Sequence, residues 1–292
     1  MKRIFFILII LILVFITGCN SSYRRGEVES RGGYPDGLKI EFLSPEDSEI
    51  YEGDEFIIDL KLDNNADCDI FGDICVSDLA AGSLSGVPDT CNSFTIQSRE
   101  SSSFSFRNNI YENLGRTIDT TLIAEAIYSC DEVIIDPLLC VRDKSKESEK
   151  DCSDKETISG RVPGLKSAPV TVTKIEKNYN PSGEVLRVDI YLDEMDRDNG
   201  VVFYDEGNSY TNENFENGFP ISVEYGNYGE LDCGNYLKNG IYYWKKDTEN
   251  IIKCKIDQIS VSEVEENLLR ISLNYKYKIT ESIPIKVIHM EA

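Results

Sequence analysis

Apolar and polar residues alternate along most of the chain that follows residue 38. In residues 55–64, EFIIDLKLDN, every second residue from Phe56 to Leu62 is apolar, and the positions between them are mostly charged. A period of two is typical of a β-strand with one buried face. Similar short stretches recur to the C-terminus, and only residues 260–269, SVSEVEENLL, predict a helical turn or two. The pattern predicts an all-β protein.

The strand-like stretches form two groups. Residues 38–142 hold one group and residues 168–292 the other, whereas residues 143–167 between them are charged and poor in apolar positions. Short strands between turn signals are typical of antiparallel β-sandwiches. We therefore predict two tandem Ig-like β-sandwich domains joined by a linker. Two hairpins are predicted within them, residues 119–130 with 132–141 and residues 268–279 with 283–290.

The N-terminus has the pattern of an export signal. Lys2 and Arg3 precede an unbroken apolar run, and small residues follow it. Residues 1–18 therefore form a predicted signal peptide, whose apolar run is short for a membrane span. Residues 19–37 are polar and glycine-rich, which predicts a flexible tether.

The end of the signal carries a lipidation motif. Residues 16–19, ITGC, resemble the lipobox of prokaryotic lipoproteins. The resemblance implies cleavage before Cys19, a thioether-linked lipid on its sulfur, and a place on the extracytoplasmic face of the cell membrane. An ordinary cleaved signal with a chance cysteine, or a short uncleaved anchor, is the alternative.

Nine cysteines support export. If Cys19 carries lipid, an even number is left, and in an exported chain this predicts disulfides. Cys233 and Cys254 stand alone in the C-terminal half and are predicted to pair. The pairing of the other six stays open: Cys68, Cys75, Cys91, Cys130, Cys140 and Cys152. Zinc fits less well, because structural zinc sites use closely spaced cysteine pairs.

Cys152 lies within the predicted linker. We expect it to bind the linker back to the first domain, and a bridge toward the second domain is the alternative. The first arrangement would limit the hinge freedom of the linker.

The charge balance excludes one class of partner. The chain has 52 acidic and 30 basic residues and a net charge of -22. Such a charge repels nucleic acid and anionic lipid headgroups. We therefore expect no nucleic-acid binding.

Candidate chemistry is sparse. Nucleophile elbows, phosphate loops and CxxC pairs are missing from the sequence, and His289 is its one histidine. We expect no enzyme activity and no cofactor, with an extracellular hydrolase that has an acidic site as an alternative. Residues 193–200, DEMDRDNG, have part of the spacing of a calcium loop through Asp193, Asp196 and Asp198. A polar turn explains the same residues without a metal.

Two further features bear on function. Trp244, in the stretch GIYYWKK, is predicted to be a core aromatic, although an exposed ring there would suit sugar or protein contact. Residues 51–78 contain a Gly-centred turn at Gly53, an alternating strand and an Asn-Asn turn. They resemble CARDB-type Ig-like domains of archaeal and bacterial surface proteins. The resemblance implies a sandwich fold on the cell envelope and supplies no catalytic residues.

The expected function is adhesion, or interaction with a protein or glycan, by a surface lipoprotein. A structural spacer in the envelope is the alternative among non-enzymes. An exposed aromatic patch would favour binding, whereas two facing carboxylates in a deep pocket would favour the hydrolase.

Overall fold

A computed structural model describes residues 33–45, 49–80, 86–130, 133–142, 152–196, 200–204, 218–245, 248–259, 261 and 263–290. Over these ranges the regular elements are β-strands, apart from two 3₁₀ turns at Gly226–Tyr228 and Gly234–Tyr236. The all-β prediction is confirmed. No helix in this part of the chain is long and apolar enough to span a membrane. The predicted signal peptide, Cys19, Asp198 and most of the tether lie outside the described residues.

Eighteen strands make up the described fold. They are β1 (Leu38–Ser44), β2 (Glu49–Tyr51), β3 (Glu55–Asn64), β4 (Ile70–Asp78), β5 (Thr90–Ile96), β6 (Ser101–Ile110), β7 (Ile118–Cys130), β8 (Val133–Ile135), β9 (Leu138–Arg142), β10 (Lys155–Ser159), β11 (Val170–Asn180), β12 (Val185–Glu194), β13 (Val201–Phe203), β14 (Gly218–Tyr225), β15 (Ile241–Tyr243), β16 (Asn250–Ile256), β17 (Val264–Leu273) and β18 (Lys276–Ile288).

The strands form four sheets. A three-stranded sheet has the order β1-β3-β6, and a six-stranded sheet has the order β13-β18-β7-β4-β5 with β2 beside β18. A four-stranded sheet has the order β10-β11-β12-β16, and a five-stranded sheet has the order β15-β14-β17-β8 with β9 also on β17. Buried and less buried residues alternate along β3, β7 and β12, as expected of sheets that cover a core with one face. This architecture is consistent with β-sandwiches.

The two halves of the sequence share sheets. β18 from the C-terminus pairs antiparallel with β7, from Tyr277 opposite Tyr128 to Val287 opposite Ile118. β8 and β9 pair instead with β17 of the second half. The structure therefore differs from the predicted grouping of strands, and neither predicted hairpin forms. β7 and β18 each have 13 residues, so their pairing satisfies main-chain groups along most of both strands.

The predicted linker is partly a strand. β10, within residues 143–167, pairs antiparallel with β11 from Lys155 opposite Asn178 to Ser159 opposite Lys174. Ile158 of this strand is buried in the core. The charged residues around one buried isoleucine concealed an edge strand, so the segment contributes to a sheet and is not a free linker.

The end of the predicted tether packs on the fold. Gly33 and Gly37 are buried, the Asp36 N–H donates to the Ala168 carbonyl at 3.1 Å, and the Asn65 N–H donates to the Gly37 carbonyl at 2.9 Å. A Cβ on Gly37 would lie 2.6 Å from the Met195 sulfur. Residues 33–37 are therefore part of the fold and not of a flexible tether.

Residues 264–269 also differ from the prediction, because they lie in strand β17 and not in a helical turn. Val264 to Leu268 pair with Arg142 to Leu138 of β9, and the following residues pair with β14. Tertiary pairing on both sides outweighs the weak local preference for a helix.

The eight cysteines that follow Cys19 form four disulfides, as the sequence predicted. The pairs are Cys68–Cys130, Cys75–Cys91, Cys140–Cys152 and Cys233–Cys254. Cys152 binds Cys140, which belongs to the first half by sequence but lies on β9, in the sheet of β17. Four disulfides indicate that the protein folds in an oxidising, extracytoplasmic compartment.

Candidate functional site

The two candidate calcium residues that the structure describes, Asp193 and Asp196, make local hydrogen bonds. The Asp193 carboxylate accepts the N–H of Glu194 at 2.9 Å, and the Asp196 carbonyl accepts the Tyr277 hydroxyl at 3.2 Å. Asp198 lies outside the described residues. No group of three or more His, Cys, Asp or Glu side chains in the described part of the chain is arranged to hold a metal. The described contacts of Asp193 and Asp196 add no support for a calcium loop, which stays a prediction.

Tyr242 and Trp244 belong to the core, as predicted for the tryptophan, whereas Tyr243 between them is 37% exposed. Tyr242 and Trp244 are 2% and 6% exposed, and both pack against Phe219 at ring distances of 6.1 and 6.2 Å. The Trp244 indole N–H donates to Glu194 Oε1 at 2.9 Å. Burial raises the pKa of Tyr242 to about 12. These rings are not available to a ligand.

The His289 ring contacts a carboxylate, and among the described residues it hydrogen-bonds no serine, threonine or cysteine side chain. Its Nδ1 hydrogen-bonds Glu52, and its main-chain N–H donates to the Thr117 hydroxyl at 3.1 Å. The N–H of Leu114 donates to the same carboxylate and is the main reason why the pKa of Glu52 is lowered. The described contacts tie the end of β18 to the turn after β2 and supply no serine for a triad.

An exposed phenylalanine lies on the outer face of the six-stranded sheet. In β4, Ile70, Ile74 and Val76 face the core, and Phe71 has the opposite phase with its side chain 44% exposed. Its neighbours across the sheet are Thr95 of β5 and Ser129 of β7. An apolar ring therefore occupies a position that the strand period assigns to solvent.

Phe71 lines a groove of about 480 Å³. The residues around it combine apolar surface with groups that hydrogen-bond, and they are Phe71, Gly72, Asp73, Ser93, Phe94, Thr95, Ile127, Tyr128, Ser129 and Lys276. The Ser93 hydroxyl donates to Asp73 Oδ1 at 2.6 Å across the β4–β5 pair. We call this site the Phe71 groove.

Covalent and ionic contacts hold the strands of the Phe71 groove in register. The disulfide between Cys75 and Cys91 joins β4 to β5 two residues beyond the Asp73–Ser93 pair. On the neighbouring strands, Lys278 of β18 pairs with Glu125 of β7 at 2.8 Å. A side chain that is presented from such paired strands loses little freedom when a ligand binds.

Gly72 brings β4 close to β7 beneath the groove. A Cβ at this position would lie 2.1 Å from the carbonyl oxygen of Ile127 and 2.7 Å from the Cα of Tyr128. A larger residue would have to push the two strands apart. The glycine is therefore needed where Phe71 is presented.

The chemistry of the Phe71 groove suits binding. Its described lining has one carboxylate, Asp73, whereas glycoside hydrolysis uses a pair of carboxyl groups. The hydroxyls of Thr95 and Ser129 and the ammonium of Lys276 can donate hydrogen bonds. Asp73 can accept them, and so can the Ser93 hydroxyl, whose own proton is donated to Asp73. This set can orient a polar ligand whose apolar face rests on Phe71.

The sequence prediction assigned β4 as a strand but did not single out Phe71. The sequence did contain a signal, because Phe71 lies in DIFGDICVSD at one of the alternate positions that face solvent, in step with Asp73 and Ser77. The polar partners from β5, β7 and β18 could not be found in this way, because they lie far apart in the sequence.

Comparisons with known proteins give no family. No family model matches the sequence, and no curated protein matches it. Among solved structures, a red sea bream transglutaminase aligns with 8% identity and a TM-score of 0.22, over 89% of this chain and 32% of that chain. The chain thus spans about a third of that protein, and so low a score carries no argument on fold or function. The resemblance of residues 51–78 to CARDB-type domains stays a prediction.

Proposed function

We propose that the protein is a lipid-anchored surface protein of the cell envelope that binds a glycan in the Phe71 groove and catalyses no reaction. The lipobox-like residues 16–19 and the four disulfides support export and attachment. The main observation that supports the binding role is the exposed ring of Phe71, which lies among polar side chains on a sheet held by a disulfide and an ion pair.

A sugar ring fits this combination of groups. It has an apolar face of C–H groups and an equatorial rim of hydroxyls. An aromatic ring can pack against the apolar face of the sugar, and aromatic side chains dominate the energetics of many recognition surfaces. The hydroxyls of the sugar can hydrogen-bond the polar side chains that line the groove with Phe71, which are Ser93, Asp73 and Lys276.

The test is binding of the full chain, purified in detergent, to an array of immobilised envelope glycans. We expect wild type to be retained, and Phe71→Ala to lower the affinity about tenfold or more. Because Phe71 is 44% exposed, the substitution should leave the melting temperature nearly unchanged.

Tyr51→Ala is the matched control. Tyr51 is 46% exposed at the end of β2, on the same sheet but outside the Phe71 groove. It should bind glycans like wild type. Equal losses of affinity in the two variants would show that glycans are retained by nonspecific contact with exposed aromatic residues. Failure of wild type to bind any glycan would reject the proposal.

A further inference from the structure

Three basic residues and one asparagine form a row across the outer face of the four-stranded sheet. Lys155 of β10 lies opposite Asn178 of β11, Asn178 lies opposite Arg187 of β12, and Arg187 lies opposite Lys255 of β16. All four side chains are exposed. We call them the basic row. At about 4.8 Å per strand, the row is about 14 Å long.

Two cations of the basic row are not neutralised by ion pairs with described residues. The acidic residues of the adjacent row are engaged locally, since Glu176 pairs with Lys174 at 2.9 Å and Asp189 pairs with Lys253 at 3.0 Å. At the end of the basic row, Lys255 pairs with Asp257 at 3.0 Å. Within the described residues, neither Lys155 nor Arg187 makes an ion pair.

The same face is concave. A groove of about 650 Å³ is lined by three members of the basic row together with neighbouring residues of β10, β11, β12 and β16. The Lys174 ammonium lies 3.5 Å from the centre of the Tyr191 ring, further along this face, and Tyr191 donates to Glu176 at 3.0 Å. The surroundings of the row are therefore ordered by their own contacts, and the two unpaired cations stand in an accessible depression.

We propose that the basic row binds a carboxylated polysaccharide that lies across the strands. Lys155 and Arg187 are two strands apart, about 10 Å, and both can approach carboxylates on separate sugar residues. Arg187 can hold a carboxylate through two parallel hydrogen bonds. The site is separate from the Phe71 groove, on a different sheet, and the proposal does not depend on that function.

Charge and geometry favour a glycan over other polyanions. A peptide that adds to a sheet as a strand does so through main-chain hydrogen bonds at a sheet edge, whereas the basic row lies on a face whose main chain is already paired. Nucleic acid carries dense charge, which a chain of net charge -22 repels. A polysaccharide with one carboxylate on each sugar carries less charge per unit length than duplex DNA, so it suffers less of this repulsion and can still reach both cations.

The experiment measures binding of the full chain in detergent to immobilised polygalacturonate, with dextran, polyglutamate and single-stranded DNA as comparison polymers. We expect wild type to prefer polygalacturonate, and to lose binding as salt rises. The double variant Lys155→Gln with Arg187→Gln should bind about tenfold more weakly or worse. Both residues are exposed, so equal melting temperatures will show that the fold is intact.

A second double variant controls for net charge. Lys39→Gln with Arg107→Gln removes one lysine and one arginine from exposed positions of the three-stranded sheet. It should bind polygalacturonate like wild type. If both double variants bind polygalacturonate equally weakly, the effect comes from net charge alone and the proposed site is wrong. Equal or tighter binding of polyglutamate or DNA would overturn the assignment to a glycan, and so would equal binding of dextran.

Discussion

Ile285→Ala tests whether the C-terminal strand stabilises the first half of the protein. Ile285 lies in β18, is 3% exposed, and is opposite Thr120 of β7. If the two halves were separate tandem domains, loss of the Ile285 side chain would lower the stability of residues 168–292 only. Since β18 pairs with β7, we expect the loss to weaken the six-stranded sheet, which contains β4 and β7 of the first half.

The magnitude follows from burial. Truncating a buried isoleucine to alanine costs about 2–5 kcal/mol, because apolar contacts are lost and a cavity is left. Each 1.4 kcal/mol is about a tenfold change in an equilibrium constant. Amides that exchange only when the six-stranded sheet opens should therefore exchange from about 30-fold to a few thousand-fold faster.

The assay is native-state hydrogen exchange followed by mass spectrometry of peptides. In Ile285→Ala, peptides from β4 and β7 should show the largest acceleration. Ile190→Ala is the matched control, since Ile190 is fully buried on β12 and its loss should act first on β11 and β16. Acceleration by Ile285→Ala that is confined to residues 168–273, with β4 and β7 protected as in wild type, would refute the reasoning.

Two further predictions concern the membrane anchor and the buried tyrosines. Cys19→Ser should abolish incorporation of labelled fatty acid and release the protein from membranes, and a labelled, membrane-held variant would contradict the anchor. Burial raises the pKa of Tyr128 and Tyr275 well above the usual value of 10.0. Stability from these groups is complete below pH 10 and is lost as the pH rises above it. Tyrosinate absorbance should therefore rise in two steps, the second together with loss of the circular dichroism signal, and a single step near pH 10 with an intact fold would contradict the burial.

The sequence alone was enough to identify most strands. A period of two reports directly which residues of a strand face the core, because successive side chains point to opposite sides. This is why β3 has the bounds and the buried face that its sequence predicted, and why Trp244 could be assigned to the core. The even number of cysteines beyond Cys19 likewise predicted disulfides without any knowledge of the fold.

Both candidate sites needed the fold. The Phe71 groove joins residues of β4, β5, β7 and β18, and the basic row joins β10, β11, β12 and β16. In the sequence, Lys155 falls in the predicted linker and Arg187 is one polar residue of an alternating strand. Only the register between strands shows that they share a face.

What the sequence determined by itself was local: strand positions, the buried phase, the acidic charge and the oxidised cysteines. What the tertiary structure decided was pairing, as in β18 with β7, Cys140 with Cys152, and residues 264–269 as a strand between β9 and β14. Alternation is the same whichever strand lies alongside. The choice of partner depends on matching lengths, on the hydrogen bonds of the whole sheet and on filling one core, and these are properties of residues that are distant in sequence.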